Sequence, residues 1–267
     1  MIEGSCGMNA IVVDLDRTLL RSDKTISTYT LGVLAACRRA NVPVMVATAR
    51  PWRTAQQYCD MIGADAIVVS NGARVICGDR RVEYGICRPS AVALLNALAR
   101  KPGLTVTLET GDVAYSNKPV EEYETVLSDD LAGTAGREGA LKILVSFSGE
   151  EALETVKANL TDDLYYTVAN GHLIQIMDKR ATKWNGVKAM LDFCNCRSAE
   201  TAYFGDDNDD IEPIKMCGLG IAVANAIDEV KATADDIAES NDADGVARYI
   251  ERMLQAGNET LTDVVPT

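Results

Sequence analysis

Buried-looking strands alternate with helices, stop doing so near residue 83 and resume near residue 183. This interruption constrains the fold of the 267-residue chain more than any other feature. Residues 10–15 (AIVVDL) read as a strand buried on both faces that runs into acid. Residues 42–47 and 66–69 are two further buried strands. Between them, 27–40 has helical spacing, with Leu31, Leu34 and Ala35 on one face and Ser27 or Thr28 as N-cap. Pro51 opens a second helix that reaches Ile62. Strand and helix alternating through short connections predict a parallel sheet covered by helices.

The pattern changes at a hairpin over 73–76 and 82–86. A helix over 91–98, strands over 105–109 and 113–116 and a polar stretch up to Gly139 follow. Then come a strand over 141–147, a helix over 150–160, and a hairpin over 165–169 and 172–177 around Asn170-Gly171, a strong turn signal. From Lys183 the first rhythm returns, with a helix over 183–193, a strand over 201–204, a polar run over 205–210 that leads into a helix, a strand over 220–223 and a helix over about 245–254. The expected fold class is α/β: a Rossmann-like parallel-sheet core (1–82 and 182–267) carrying an inserted α+β module (83–181).

The net charge of −13 opposes binding to phosphate backbones or anionic lipid, so neither nucleic acid nor membrane is an expected partner. No apolar run approaches the roughly 18 residues that span a bilayer. Residues 1–9 hold no base ahead of the first apolar run, which Asp14 interrupts, so no signal peptide is read there. Eight cysteines form no CxxC pair, and the one histidine, His172, is far from Cys194 and Cys196. Reduced thiols in a cytoplasmic protein are therefore expected rather than a zinc site.

Chemistry concentrates at strand ends, where open α/β sheets bind ligands. Asp14 and Asp16 lie two apart, a spacing that aims both carboxylates into one crevice if the strand continues. So close a pair repels unless a cation or a shared proton intervenes, and oxygen-only ligands favour Mg²⁺. Taken alone, the pair is equally a solvated strand-to-loop transition. Thr48, just past the second strand, offers a hydroxyl and nearby amides to a phosphoryl group. Lys183 opens the first helix after the insert, and Gly205 to Asp210 places four aspartates after the fourth core strand. Asn71 reads first as a turn residue, Trp52 and Trp184 as core packing, and His172 as a residue of the insert near a turn. No Walker A sequence is present, and Gly218-Leu219-Gly220 lacks the context of a dinucleotide fingerprint.

Val13-Asp14-Leu15-Asp16-Arg17-Thr18-Leu19-Leu20, Thr48, Ser70-Asn71-Gly72-Ala73, Lys183 and Phe204-Gly205-Asp206 through Asp210 together resemble the haloacid dehalogenase superfamily of phosphohydrolases. The branch they resemble most is the Cof type, with its C2B cap. The resemblance covers about 8–82 and 183–254. It implies a Mg²⁺-dependent phosphatase acting on small phosphorylated metabolites such as sugar phosphates, as a monomer or weak homo-oligomer. Asp14 would be the nucleophile that forms an aspartyl-phosphate. Asp16 would be general acid and then base. Thr48 and the Ala49 amide would hold phosphoryl oxygens, and Lys183 would neutralise them. Leu15, Arg50, Asn71 and Asp209 would contact substrate. Asp14, Asp16 (through its carbonyl) and Asp206 would hold the metal, with Asp210 in support. A phosphomutase on the same scaffold and an inactive binding module are the alternatives.

The chain departs from the family pattern at four places. Arg17 stands where glycine is usual, either strained or adding positive charge near phosphate. Ala49 replaces a common glycine. Asp209 replaces an asparagine expected to touch phosphate, a role Asn208 is a candidate to take over. Pro213 replaces a common methionine, which a first helical turn tolerates.

Overall fold

The computed structural model describes residues 9–262, apart from 102, 121–123, 147–150 and 170. The first strands are β1 (Ala10–Val13), β2 (Val44–Ala47) and β3 (Ala66–Val69), each buried along its whole length. Between them run α1 (Thr28–Arg39), capped by the Ser27 hydroxyl, and α2 (Trp52–Ile62). Pro51 is not the first helical residue of α2 but its N-cap, with extended backbone. The hairpin that follows pairs β4 (Arg74–Cys77) with β5 (Arg80–Glu83).

The chain then builds α3 (Arg88–Ala99), β6 (Thr105–Glu109), β7 (Ala114–Ser116), β8 (Val126–Leu127) and α4 (Leu131–Glu138). It continues through β9 (Lys142–Ser146), α5 (Glu151–Asn159), β10 (Leu164–Ala169) and β11 (Leu173–Asp178). Asn170, in the expected turn between the last two strands, lies outside the described residues. The return comprises α6 (Lys183–Cys194), β12 (Thr201–Gly205), α7 (Ile211–Met216) and β13 (Leu219–Val223). It ends with α8 (Asp228–Lys231), β14 (Asp236–Ala238) and α9 (Gly245–Thr262).

Two sheets result. Eight strands form the order β14-β13-β12-β1-β2-β3-β4-β5, parallel from β14 to β3 and antiparallel through the hairpin. Six strands form the order β10-β11-β9-β6-β7-β8, antiparallel except for the short β7–β8 pair. Each sheet has its own apolar cluster. One is built on Tyr203, Phe204 and the parallel strands, the other on Leu94, Leu98, Leu108 and Ile143. The expected α/β class holds, and so does the antiparallel character of most of the middle segment.

Several elements differ from expectation. The first strand ends at Val13, so Asp14 and Leu15 lie beyond it. The polar stretch before Gly139 contains a helix, α4, whose Gly133 and Gly136 hide it from propensity. The short α8 and β14 were not foreseen, and α9 runs past Leu254 to Thr262. In the large sheet β1 sits between β12 and β2, where the strand order reverses. Register aligns Val13 with Phe204 on one side and Val46 on the other, so the loops after all three strands open at one level. No helix among the described residues is long and apolar enough to cross a membrane.

Candidate active site

The chain leaves β1 at Asp14, whose N–H still donates to the Phe204 carbonyl at 3.0 Å. It then closes a tight turn: the Leu19 and Leu20 amides donate to the Asp14 and Leu15 carbonyls, five residues back, at 3.3 and 2.8 Å. Leu15, Leu19 and Leu20 are buried and anchor this turn, each worth roughly 1.5–3 kcal/mol. The turn requires left-handed backbone at Arg17, φ 59° and ψ 2°, at a cost of roughly 1–2 kcal/mol for an L-residue. The strained reading of Arg17 is therefore realised. It sits in the conformation that favours glycine, and its Nε lies 3.5 Å from Asp206 Oδ2.

Asp14 and Asp16 line one cavity, of about 460 Å³, but a turn rather than a continuing strand places them there. Their states differ. Asp14 is buried, and burial drives its carboxyl well above the ordinary range against the pull of Lys183. Asp16 is gripped by Arg50 Nε and Nη2 at 2.6 and 2.7 Å and by Lys24 Nζ at 2.7 Å. Partial burial opposes its ionisation, yet these hydrogen bonds hold it down at about 2.

Lys183 is the first residue of α6, where the Thr182 hydroxyl caps the Asn185 amide. Gly72 brings the β3 loop against this start: at φ +99°, a Cβ there would lie 2.0 Å from the Thr182 carbonyl oxygen. The Lys183 ammonium then reaches Asp14 Oδ1 at 3.1 Å, Asp209 Oδ1 at 3.1 Å and Asp210 Oδ1 at 2.7 Å. Burial disfavours its charge, but these three carboxylates outweigh burial and raise it well above the usual lysine value.

The loop after β12 folds Asp210 back over Gly205, where a Cβ would fall 2.5 Å from the Asp210 side chain. Asp210 Oδ2 accepts from the Asp206 and Asp207 amides at 3.0 and 3.1 Å. Its Oδ1 accepts from Lys183 and from the Tyr203 hydroxyl at 2.6 Å. Asp206 Oδ1 accepts from Thr18 Oγ1 at 3.0 Å, whereas Oδ2 is buried and accepts no hydrogen bond. Burial, aided by Asp210, lifts the Asp206 carboxyl to about 7. Asp14, Asp206 and Asp210 present oxygens all within 4.8 Å of one another. Buried, all-oxygen, over-negative and with one orphaned acceptor, this set fits a hard divalent cation.

Thr48 is buried, with its amide on the Val68 carbonyl and its hydroxyl accepting from the Arg50 amide at 3.2 Å. Ala49 lines the cavity beside it. Leu15 is fully buried and is not among the residues lining the cavity. Arg50 is committed to Asp16 and stacks over Tyr58. Asn71 is both a turn residue, at φ 55°, and a cavity residue that donates Nδ2 to Asp209 Oδ2 at 2.8 Å. Asn208 directs its amide to Asp207 instead. Pro213 falls in the first turn of α7. Trp52 packs on the core, as does Trp184, which also borders the cavity. His172 is exposed and is not among the residues lining the cavity.

Sequence reasoning missed the second sheet's contribution. Tyr165, Thr167, Gln175 and Met177 line the cavity at alternating positions of β10 and β11. Lys142, on β9, reaches Asn71 Oδ1, the Ala49 carbonyl and Gln175 Oε1. Its signal was a lysine set between Leu141 and Ile143 in an otherwise apolar strand.

A parallel sheet with a carboxylate cluster at its switch point, bridged by a buried lysine, suits the hydrolysis of phosphoric monoesters. The chain belongs to the haloacid dehalogenase-like hydrolase family, whose model matches residues 11–250. It is 28% identical over 260 residues to 5-amino-6-(5-phospho-D-ribitylamino)uracil phosphatase YitU of Bacillus subtilis, covering 90% of this chain and 96% of that one. Among solved structures, a haloacid dehalogenase-like hydrolase from Bacteroides thetaiotaomicron superposes with a TM-score of 0.83 at 22% identity, covering 92% of this chain and 99% of that one. A subclass IIB sugar phosphatase superposes at 0.78 and 20% identity, covering 91% and 98%.

Proposed function

We propose that the enzyme is a Mg²⁺-dependent phosphatase of small phosphorylated metabolites, sugar phosphates foremost, working through an aspartyl-phosphate on Asp14. The observation that carries this reading is the buried cluster of Asp14, Asp206 and Asp210 around Lys183, with Asp206 Oδ2 left without a hydrogen-bond donor. Asp14 and Asp206, with the Asp16 carbonyl, would hold Mg²⁺, and Asp210 would support them. When bound, the ion supplies positive charge that offsets the phosphoryl oxygens and the crowded carboxylates.

The remaining work belongs to the chain. Asp14 attacks phosphorus while Lys183 fixes its carboxylate and neutralises charge. Thr48 and the Ala49 backbone hold phosphoryl oxygens. Asp16 delivers a proton to the leaving oxygen and later activates water. In the present conformation it is ionised on Arg50 and Lys24, so that role requires it to swing into the cavity and take up a proton there.

Residues 83–181 are read as the inserted cap and the remainder as the core. The cavity has room for a leaving group beside the phosphoryl group, bounded by Tyr165, Thr167, Gln175 and Met177 of the second sheet. By their names, YitU acts on 5-amino-6-(5-phospho-D-ribitylamino)uracil and the other is a sugar phosphatase, which supports that substrate class. The seven described cysteines are free thiols, in keeping with a cytoplasmic enzyme. A phosphate-release screen over sugar phosphates, phosphoglycolate and a phosphoribitylamino pyrimidine, with Mg²⁺ and with EDTA, tests the proposal. Release that needs Mg²⁺ is expected, and release no greater than that of Asp14→Asn on every compound would overturn it.

A further inference from the structure

Asp209 places a carboxylate beside the expected phosphate position, where another negative charge works against binding. Its surroundings are unusual. Lys183 Nζ lies 3.1 Å from Oδ1, and Asn71 Nδ2 donates to Oδ2 at 2.8 Å. On the far side of Asn71, the oxygen Oδ1 accepts from Lys142. An ammonium only donates and a carboxylate only accepts, so these two neighbours fix which way the Asn71 amide points.

Lys142 belongs to the second sheet, opposite Glu109 in the β6–β9 pair, and is 3% exposed. Its other hydrogen bonds go to the Ala49 carbonyl at 3.3 Å and Gln175 Oε1 at 3.1 Å. All three acceptors are neutral. Taking an ammonium out of water costs several kcal/mol unless charge of opposite sign is near. Glu109 is one such charge, but Arg53 engages it at 3.0 Å. Asp209, one amide away, is the other.

We propose that Lys142 is a positioning residue that balances Asp209 across Asn71, so that the phosphate subsite in the first sheet is complete only with the second sheet's lysine in place. The line Lys142–Asn71–Asp209–Lys183–Asp14 connects the second sheet to the nucleophile by direct polar contacts. The carbonyl contact at Ala49 ties the same lysine to the loop that follows Thr48. Without Lys142, the Asn71 amide loses the partner that sets its orientation, and Asp209 loses its second cation. This inference rests on the phosphatase reading for the identity of the anion, though not for the coupling between Lys142 and Asp209.

The test compares wild type, Lys142→Met, Asp209→Asn and the double variant, with Lys142→Arg as the charge-conserving control. Orthophosphate binding is measured by calorimetry with Mg²⁺ present, and KM and kcat are measured on p-nitrophenyl phosphate. Lys142→Met should weaken orthophosphate and raise KM about tenfold, the size of one charge acting over about 10 Å at an effective dielectric near 20, with a smaller change in kcat. Adding Asp209→Asn should restore binding to within about threefold of the Asp209→Asn protein, and Lys142→Arg should lie near wild type. Orthophosphate binding by Lys142→Met within twofold of wild type, or no rescue by Asp209→Asn, would overturn the inference. A double-mutant cycle in urea unfolding reads the same coupling without substrate, so failure of the phosphatase reading is seen separately. Additive stability effects there would also refute the charge balance.

Discussion

Replacing Asp206 with asparagine keeps an acceptor for the Thr18 hydroxyl but removes a carboxyl that burial and Asp210 lift from 3.8 to about 7. An acid whose folded value lies above its unfolded value holds its proton more tightly when folded. Its contribution therefore favours the folded state at low pH and is lost as pH rises from 3.8 through about 7. Between pH 5 and pH 8 the loss is about two pH units at about 1.36 kcal/mol each, or about 3 kcal/mol. For a chain of this size that is about 6–12 °C in Tm. Burial raises Asp14 and Asp210 as well, so metal-free wild type should melt lower at pH 8 than at pH 5 for several reasons of one sign. The decisive quantity is the difference in slope: thermal melts in EDTA from pH 5 to pH 8 should be flatter for Asp206→Asn than for wild type by about that amount. Saturating Mg²⁺ should recover most of the wild-type loss at pH 8 and little in the variant. Equal slopes in the two proteins would show that Asp206 is not held protonated by its surroundings.

The other expectations concern the reaction and the scaffold. Asp14→Asn preserves shape and removes the attacking charge, so phosphate release should fall to near background while circular dichroism is unchanged; near-normal turnover would sink the covalent route. Asp209→Asn should lower KM for phosphate monoesters by up to about tenfold, read at saturating Mg²⁺, because one negative charge leaves the cavity wall. An unchanged KM within twofold would mean that Lys183 and Lys142 already neutralise it fully. Gly72→Ala would drive a Cβ to 2.0 Å from the Thr182 carbonyl oxygen at a backbone φ of +99°. It should lower Tm and kcat together by displacing Lys183, and a wild-type kcat would refute the claim that this contact positions the lysine.

The central strands were legible because a strand buried on both faces must be apolar throughout, and AIVV, VMVA and AIVV are. The Ser27 cap was legible because a hydroxyl ahead of a helical pattern satisfies an orphan amide. The elements that escaped lack such local necessity. Two glycines interrupt α4, and β14 is three residues long and partly exposed, held by pairing with β13 rather than by its own pattern. The apolar pattern runs two residues past the end of β1 because Leu15 is as buried as the strand, although it serves to anchor a turn.

Within the site, legibility followed the chemistry of the residue type. Carboxylates cannot be crowded without a reason, so Asp14, Asp206 and Asp210 announced themselves, and the structure brings them together with Lys183 from three separate segments. Lysine gives no such warning, since most lysines face water and one in a strand suggests nothing. Yet the charges of this site are compensated by lysines from both sheets. Asp14, Asp209 and Asp210 converge on Lys183, Asp206 has Arg17 at 3.5 Å, and the remaining buried cation, Lys142, arrives from a sheet whose sequence carries no motif for it. Its partners, Ala49 and Asn71, lie 93 and 71 residues away along the chain. A local pattern therefore identifies the groups that need compensation, whereas the group that supplies it is fixed only when the second sheet closes over the first.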